Sequence, residues 1–218
     1  MKVGTDGVLL GSWIKVSSEK SIIDVGTGTG IIALMIAQKS SNDVVIDAID
    51  INEYAFELAQ NNFINSNWND RLKVYKSSLQ DYIKSVKKYD IVVSNPPYYI
   101  NVSKSANNIS TLSKHQTLQE FNEFIKNLIS LIKQDGKMYI VLPYDNLSCF
   151  ESNLTENQLF INKILNIKPT NEKPIKRILI ESSFNKTDIE EETIFIESSR
   201  HIYSNEYKEL TKDFYLNF

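Results

Sequence analysis

Apolar and polar positions follow two alternating periods along the first two-thirds of the chain. Ser21–Val25 and Val44–Asp50 are short apolar runs bounded by polar residues, as buried strands are. Between them Ile31–Gln38 reads as a helix. Asn52 is a natural N-cap, and Ala55, Leu58, Ala59 and Phe63 follow it at helical spacing. Arg71–Lys76 and Tyr89–Ser94 predict a third and a fourth strand. Phe121, Phe124, Ile125, Leu128, Ile129 and Ile132 mark the apolar stripe of an amphipathic helix. Asp135-Gly136 then turns the chain into a strand over Lys137–Leu142. Such alternation implies right-handed βαβ units and a mostly parallel, doubly wound sheet. After Pro143 the rhythm changes. Phe160–Ile167 and Arg177–Phe184 are strand-like with no helix between them, which predicts an antiparallel pair at one sheet edge. Thr193–Glu197 predicts another short strand and Ser204–Phe214 a terminal helix.

From Tyr99 to Gln119 the chain is polar, with Ser, Asn and Lys prominent. A loop of that length in a compact domain is usually a functional lid or disordered. Its position favours a lid over about 100–119 within a single domain spanning 1–218.

Composition narrows the class only modestly. At 218 residues, 42% hydrophobic and 23% charged, the chain is long enough for one sizeable core. No apolar run approaches the roughly 18 residues of a membrane span. The start carries Lys2, Gly4, Thr5 and Asp6 and shows no signal peptide. The one cysteine, Cys149, excludes a disulfide framework and fits a reducing, cytoplasmic setting. His115 and His201 lie far apart, so no zinc site is expected.

The net charge of −3 hides an asymmetry. Lys163 to Lys186 holds six bases against two acids, a local +4, and Asp188 to Glu197 holds five acids and no base. Two solvated faces would read this way. So would a basic patch for a phosphate backbone, with Lys176 and Arg177 as its contacts.

The run from Tyr89 to Tyr99 carries the most chemistry. A strand-like stretch ends abruptly in Asn95-Pro96-Pro97-Tyr98-Tyr99. Proline has no N–H and a fixed φ, so two together stop a sheet strand. The Asn95 and Pro96 carbonyls then lose ladder partners at a strand's carboxyl end, where open α/β sheets bind ligands. Free acceptors beside an aromatic face suit a planar amine, such as the exocyclic nitrogen of a base. The bland reading is a structural strand terminator, with Tyr99 a core aromatic.

Upstream, Asp24-Val25-Gly26-Thr27-Gly28-Thr29-Gly30 sits between the first strand and the first helix. Its spacing is G-x-G-x-G, which lacks the third glycine of the dinucleotide fingerprint and disfavours a nicotinamide oxidoreductase. Asp50 ends the second strand, where an acid accepts bonds from a ribose diol. Asp24 would serve a pyrophosphate poorly and an ammonium with a sulfonium well. That is the charge logic of S-adenosylmethionine. Ribose goes to Asp50, the amino-acid moiety near Gly26 and Asp24, and adenine against the third-strand turn at Ser78, Leu79 or Asp81. Lys2, Thr5, Thr27, Gly28, Gly30, Ile51 and Asn95 complete the expected cofactor-binding set.

The DVGTGTG loop, the acid ending strand two and the NPPY run together resemble the class I S-adenosylmethionine-dependent amino-methyltransferases. The opening from Met1 to Trp13 and the ending from Tyr207 to Leu216 narrow this to the bacterial tRNA1(Val) adenine-N6 methyltransferase family. The resemblance implies a Rossmann-like α/β fold, with a seven-stranded mostly parallel sheet and an antiparallel C-terminal edge. It also implies methyl transfer to an adenine beside the anticodon of a valine tRNA. Asn95, Pro96, Pro97 and Tyr98 would then be catalytic, Tyr98 stacking on the base. Substrate contacts would come from Tyr98, Tyr99, Lys114, His115, Lys176 and Arg177, in a monomer or weak dimer that needs neither metal nor membrane.

Two departures stand out. Family members usually carry a further stretch before the Met-Lys-Val segment, so a start there is expected to weaken cofactor closure or RNA contact. They also tend to have an Arg-His pair where this chain has Lys114-His115, which keeps charge but loses bidentate geometry. Two alternatives compete with tRNA methylation: N-methylation of a glutamine amide in a protein such as a release factor, and a non-catalytic RNA-binding module.

Overall fold

Strand β1 (Ser21–Val25) lies between β2 (Val45–Asp50) and β4 (Tyr89–Ser94) and runs parallel to both. β3 (Leu72–Lys76) extends the sheet beyond β2, and β5 (Ile132–Pro143) extends it beyond β4, again in parallel. The chain moves outward from β1 to β3 and then crosses back to β4. This makes a switch point at β1 and β4, where a crevice opens at the strands' carboxyl ends. The computed structural model describes residues 4–96 and 111–215, with the backbone alone over 111–117.

Beyond β5 the sheet turns antiparallel through β7 (Arg177–Ser183) and continues with β6 (Phe160–Thr170), β8 (Glu190–Ser199) and β9 (Ile202–Tyr203). Nine strands are therefore present among the described residues, where seven were expected. β6 and β7 pair antiparallel as predicted, but they do not form the edge. β8 starts earlier than its apolar core suggests, because exposed Glu190, Glu191 and Glu192 pair in parallel with Lys163, Ile164 and Leu165. Part of the basic segment is thereby neutralised by the acidic one: Lys163 pairs with Glu190 at 2.5 Å, and Asn166 donates to Glu191 at 2.7 Å.

Alternate strand residues feed two cores. Ile22, Ile91 and Val93 face a layer made by α1 (Thr5–Trp13), α2 (Ile31–Lys39), α3 (Glu53–Ile64) and α7 (Asn205–Thr211). Ile23, Val92 and Ile140 face the layer holding the short α4 (Leu79–Tyr82), α5 (Thr111–Ser130) and α6 (Leu147–Glu156). Phe121, Ile125, Leu128 and Ile129 are buried from α5 as their spacing predicts. Ile132 instead begins β5, where it pairs with Tyr89 across a register shift. Gly136 sits in that irregular stretch, where a Cβ would meet the Tyr89 carbonyl oxygen at 2.8 Å. Positions 111–119 of the expected lid belong to α5, and 97–110 lie outside the described residues.

The caps explain several boundaries. Asn52 accepts from the Ala55 amide at 3.0 Å, as its type predicts at an N-cap. Ser78 and Ser204 cap α4 and α7 in the same way. Trp13 packs edge-on against Tyr139 at 5.8 Å, and Trp68 lies against the same core.

Candidate active site

The register aligns Val25 with Ser94, so the next residues, Gly26 and Asn95, leave the two strand ends side by side. The Ser94 hydroxyl donates to the Val25 carbonyl at 2.8 Å and ties these ends together. Gly26, Gly28 and Gly30 all have positive φ (+73°, +59° and +80°), which side chains rarely tolerate. A Cβ on Gly26 would meet nothing within 4 Å, so the turn presents open backbone. Gly30 has a packing reason as well: its Cβ would strike the Phe63 ring of α3 at 2.6 Å.

The loop is held from beneath and from the side. The Gly26 and Thr27 amides donate to the Ile49 carbonyl at 2.9 and 3.0 Å. Asp50 is half-buried at the end of β2; its Oδ2 accepts from the Gly28 amide at 2.9 Å and its Oδ1 from the Asn52 amide at 2.9 Å. One carboxylate thus fixes both the glycine turn and the entry to α3. Asp24 is fully buried below the loop, where the Thr27 hydroxyl donates to its Oδ2 at 2.6 Å. Among the described residues its Oδ1 is buried without a hydrogen-bond partner within ordinary distance, though the Ala33 amide faces the carboxyl. Burial pushes the Asp24 carboxyl up to about 7, against the opposing pull of the Thr27 hydroxyl.

On the β3 side, Ser78 caps α4 and its hydroxyl also donates to Asp81 Oδ2 at 2.7 Å, while Asp81 Oδ1 pairs with Lys84 at 2.6 Å. Leu79 is buried and Ile51 is 70% exposed beside Asp50. On the β4 side, Pro96 is buried and Asn95 half-buried. Asn95 Oδ1 is itself a buried acceptor with no hydrogen-bond partner among the described residues. Thr5 is exposed at the start of α1. Two residues on, Gly7 faces Asn95, and a Cβ there would come 3.7 Å from Asn95 Nδ2.

Lys2, Pro97, Tyr98 and Tyr99 lie outside the described residues, and Lys114 and His115 are described only as backbone of α5. Lys176 is exposed at the edge of a groove of about 1250 Å³. Arg177, at the start of β7, pairs instead with Asp6 of α1 at 3.0 Å and donates to the Lys176 carbonyl. Asp6 and Gly7 are additions that the sequence pattern did not single out. Among the described residues no cluster of His, Cys, Asp and Glu could hold a metal, and no helix is long and apolar enough to cross a membrane.

An open glycine turn, a carboxylate at the end of β2 and the buried Asn95 Oδ1, without a partner among the described residues, fit S-adenosylmethionine with an amine acceptor beside it. Comparison with known proteins agrees. A predicted O-methyltransferase from Agrobacterium tumefaciens superimposes with a TM-score of 0.71, over 95% of this chain and 96% of that one at 13% identity. The methyltransferase small domain family matches residues 3–156. The fold is that of a Rossmann-like class I methyltransferase, whose cofactor is S-adenosylmethionine. The tRNA1(Val) (adenine(37)-N6)-methyltransferase of Trichodesmium erythraeum is 40% identical over 100% of this chain and 92% of its own length. That of Flavobacterium psychrophilum is 40% identical over 99% of this chain and 93% of its own. The chain belongs to this family of tRNA adenine-N6 methyltransferases.

Proposed function

We propose that the protein transfers the methyl group of S-adenosylmethionine to the exocyclic N6 of adenine 37 in tRNA1(Val). The observation that carries this reading is the buried Oδ1 of Asn95, without a partner among the described residues, one residue beyond the β1–β4 register, beside Gly26. A buried acceptor left without a bond costs about 1–3 kcal/mol, so it marks a place meant for an incoming donor.

When bound, S-adenosylmethionine supplies an electrophilic methyl group on a sulfonium. The Gly26–Gly30 turn and Asp50 would hold it, with Leu79 and Ile51 flanking its base. Asn95 Oδ1 accepts one N–H of the amine and the Pro96 carbonyl the other. The nitrogen lone pair is otherwise delocalised into the ring. Gripping both hydrogens draws the nitrogen toward tetrahedral geometry and fixes the lone pair's direction. Such orientation is worth on the order of 7–11 kcal/mol of barrier. An amide oxygen takes no proton, so the methylated amine releases its own to water. Tyr98 is assigned to stacking on the flipped base, which costs least to extrude from a loop. Lys176 is assigned to the RNA backbone, with Arg177 bracing α1 through Asp6.

Mass spectrometry of nuclease fragments tests this reading on tRNA from a strain without the enzyme, after incubation with protein and S-adenosylmethionine, with a release factor offered in parallel and its peptides measured. N6-methyladenosine at position 37 is expected. Methylated glutamine in a release factor, with unmodified tRNA, would overturn it.

A further inference from the structure

The groove beside Arg177 has features that neither the methyl-transfer chemistry nor the glycine loop uses. It opens at the carboxyl end of β5, on the same rim of the sheet as Asn95. Lys168, Lys173 and Lys176 line it together with Asp6, Asp145 and Glu172; Asp6 is answered by Arg177, Lys168 donates to the Asn171 carbonyl, and none of the three lysines is paired with a carboxylate among the described residues. Tyr144 stands at its edge with 43% of its surface exposed. The Tyr144 amide donates to the Lys176 carbonyl at 3.3 Å, so the ring and that lysine spring from bonded backbones. Lys176 is fixed in turn by its amide's bond to the Ile167 carbonyl at 2.9 Å. An exposed aromatic face set among unpaired cations is the arrangement that holds a single-stranded nucleotide: a ring for the base and charge for the phosphate.

The location gives the nucleotide its place. Arg177 pairs with Pro143, and β5 pairs with β4, so the groove lies two strands from Asn95, about 10 Å at ordinary strand spacing. A base extruded onto Asn95 leaves its neighbour in the chain over the groove.

We propose that this groove is a subsite for the nucleotide adjacent to the target adenine, its base stacked on Tyr144 and its phosphate held by Lys173 and Lys176. The subsite deepens the tRNA reading and rests on it. It reads the splayed shape of a loop rather than base identity, because stacking accepts any π-face.

The test uses the full chain and an anticodon stem–loop RNA, with RNA affinity read by fluorescence anisotropy alongside methyl transfer. Tyr144→Ala is expected to weaken RNA binding about five- to 150-fold, the equilibrium equivalent of one stacked base. Tyr144→Phe should restore it, and S-adenosylmethionine affinity should stay unchanged in both variants, which shows that the site is intact. An RNA made abasic next to the target should bind wild type more weakly by a similar factor, yet lose nothing further on Tyr144→Ala. Lys173→Ala with Lys176→Ala should flatten the salt dependence of binding. RNA affinity equal to wild type in Tyr144→Ala, or losses from variant and abasic RNA that simply add, would overturn the subsite. Failure of the tRNA reading shows separately, as wild-type protein that transfers no methyl group to any of these RNAs.

Discussion

A carboxylate shut away from water holds its proton more tightly than one in solution, and Asp24 is such a group, even against the Thr27 hydroxyl and the Ala33 backbone amide. Its carboxyl is pushed up to about 7 by burial, from an unfolded value of 3.8. Between these values the folded chain binds a proton that the unfolded chain has released. Stability from Asp24 is therefore fully present below the unfolded value, declines as pH rises and is lost as pH passes about 7. Asp24→Asn cannot ionise. Thermal melts of cofactor-free protein from about pH 4 to about pH 8 should show wild type losing Tm relative to this variant. Parallel curves would mean that the carboxyl is not held this way. Residue types made part of this site legible: three glycines in a strand-to-helix turn, an acid ending β2 and Asn52 as a cap. The burial of Asp24 was not legible, since an acid beside a glycine loop reads the same whether it faces a ligand or lies beneath it. Nor was the Asp6–Arg177 pair, whose members stand 171 positions apart.

At the scale of elements, two long cations clamp helix ends. Lys39 of α2 donates to the carbonyls of Gly11 at 2.5 Å, Ser12 at 3.1 Å and Ile14, closing the end of α1. Arg71 donates to Ser40 Oγ at 2.9 Å and to the carbonyls of Ala37 and Ser41, closing the end of α2. Both act on carbonyls that a helix leaves unpaired. The α1 clamp matters for the site because α1 carries Gly7 against Asn95. Lys39→Met keeps the stem and removes the donors. It should destabilise the fold by about 1–3 kcal/mol, seen as a lower urea midpoint at unchanged slope; an unmoved midpoint would show that the clamp carries no stability. Neither α1 nor α6 was legible as a helix. Five consecutive positions of α1, Gly7 to Gly11, are buried, so no apolar stripe separates from a polar face. α6 buries only Phe150, Asn153 and Leu154 among Ser, Asn and Thr residues that favour caps and turns. The regular strands fared better: β1 and β4 have the bounds that their runs predict, because a strand buried on both faces is largely apolar, Asp24 and Ser94 being the buried exceptions.

At the scale of the whole molecule, the arrangement follows from one reversal of strand order. Placing β4 beside β1 brings the Asn95 turn to the glycine turn, although the two are about seventy positions apart in sequence. β9 was missed, and β8 begins at Glu190 rather than at the predicted Thr193 for a charge reason. Exposed acids at the start of β8 look like a solvated loop until Lys163 and Asn166 of β6 are seen to receive them. With Lys163 taken up by Glu190, Lys168, Lys173 and Lys176 of that segment line the groove by Tyr144, while Lys186 lies over the Phe160 ring. At that junction we propose that Asn95, which the sequence also placed in the cofactor-binding set, orients the accepting amine rather than building the cofactor site. The most direct measurement is single-turnover methyl transfer to tRNA by Asn95→Ala, with S-adenosylmethionine affinity measured by calorimetry on the same protein. A rate lowered about 100-fold or more is expected, with cofactor affinity close to that of wild type. A rate near that of wild type, or a loss explained by weaker cofactor binding, would contradict it.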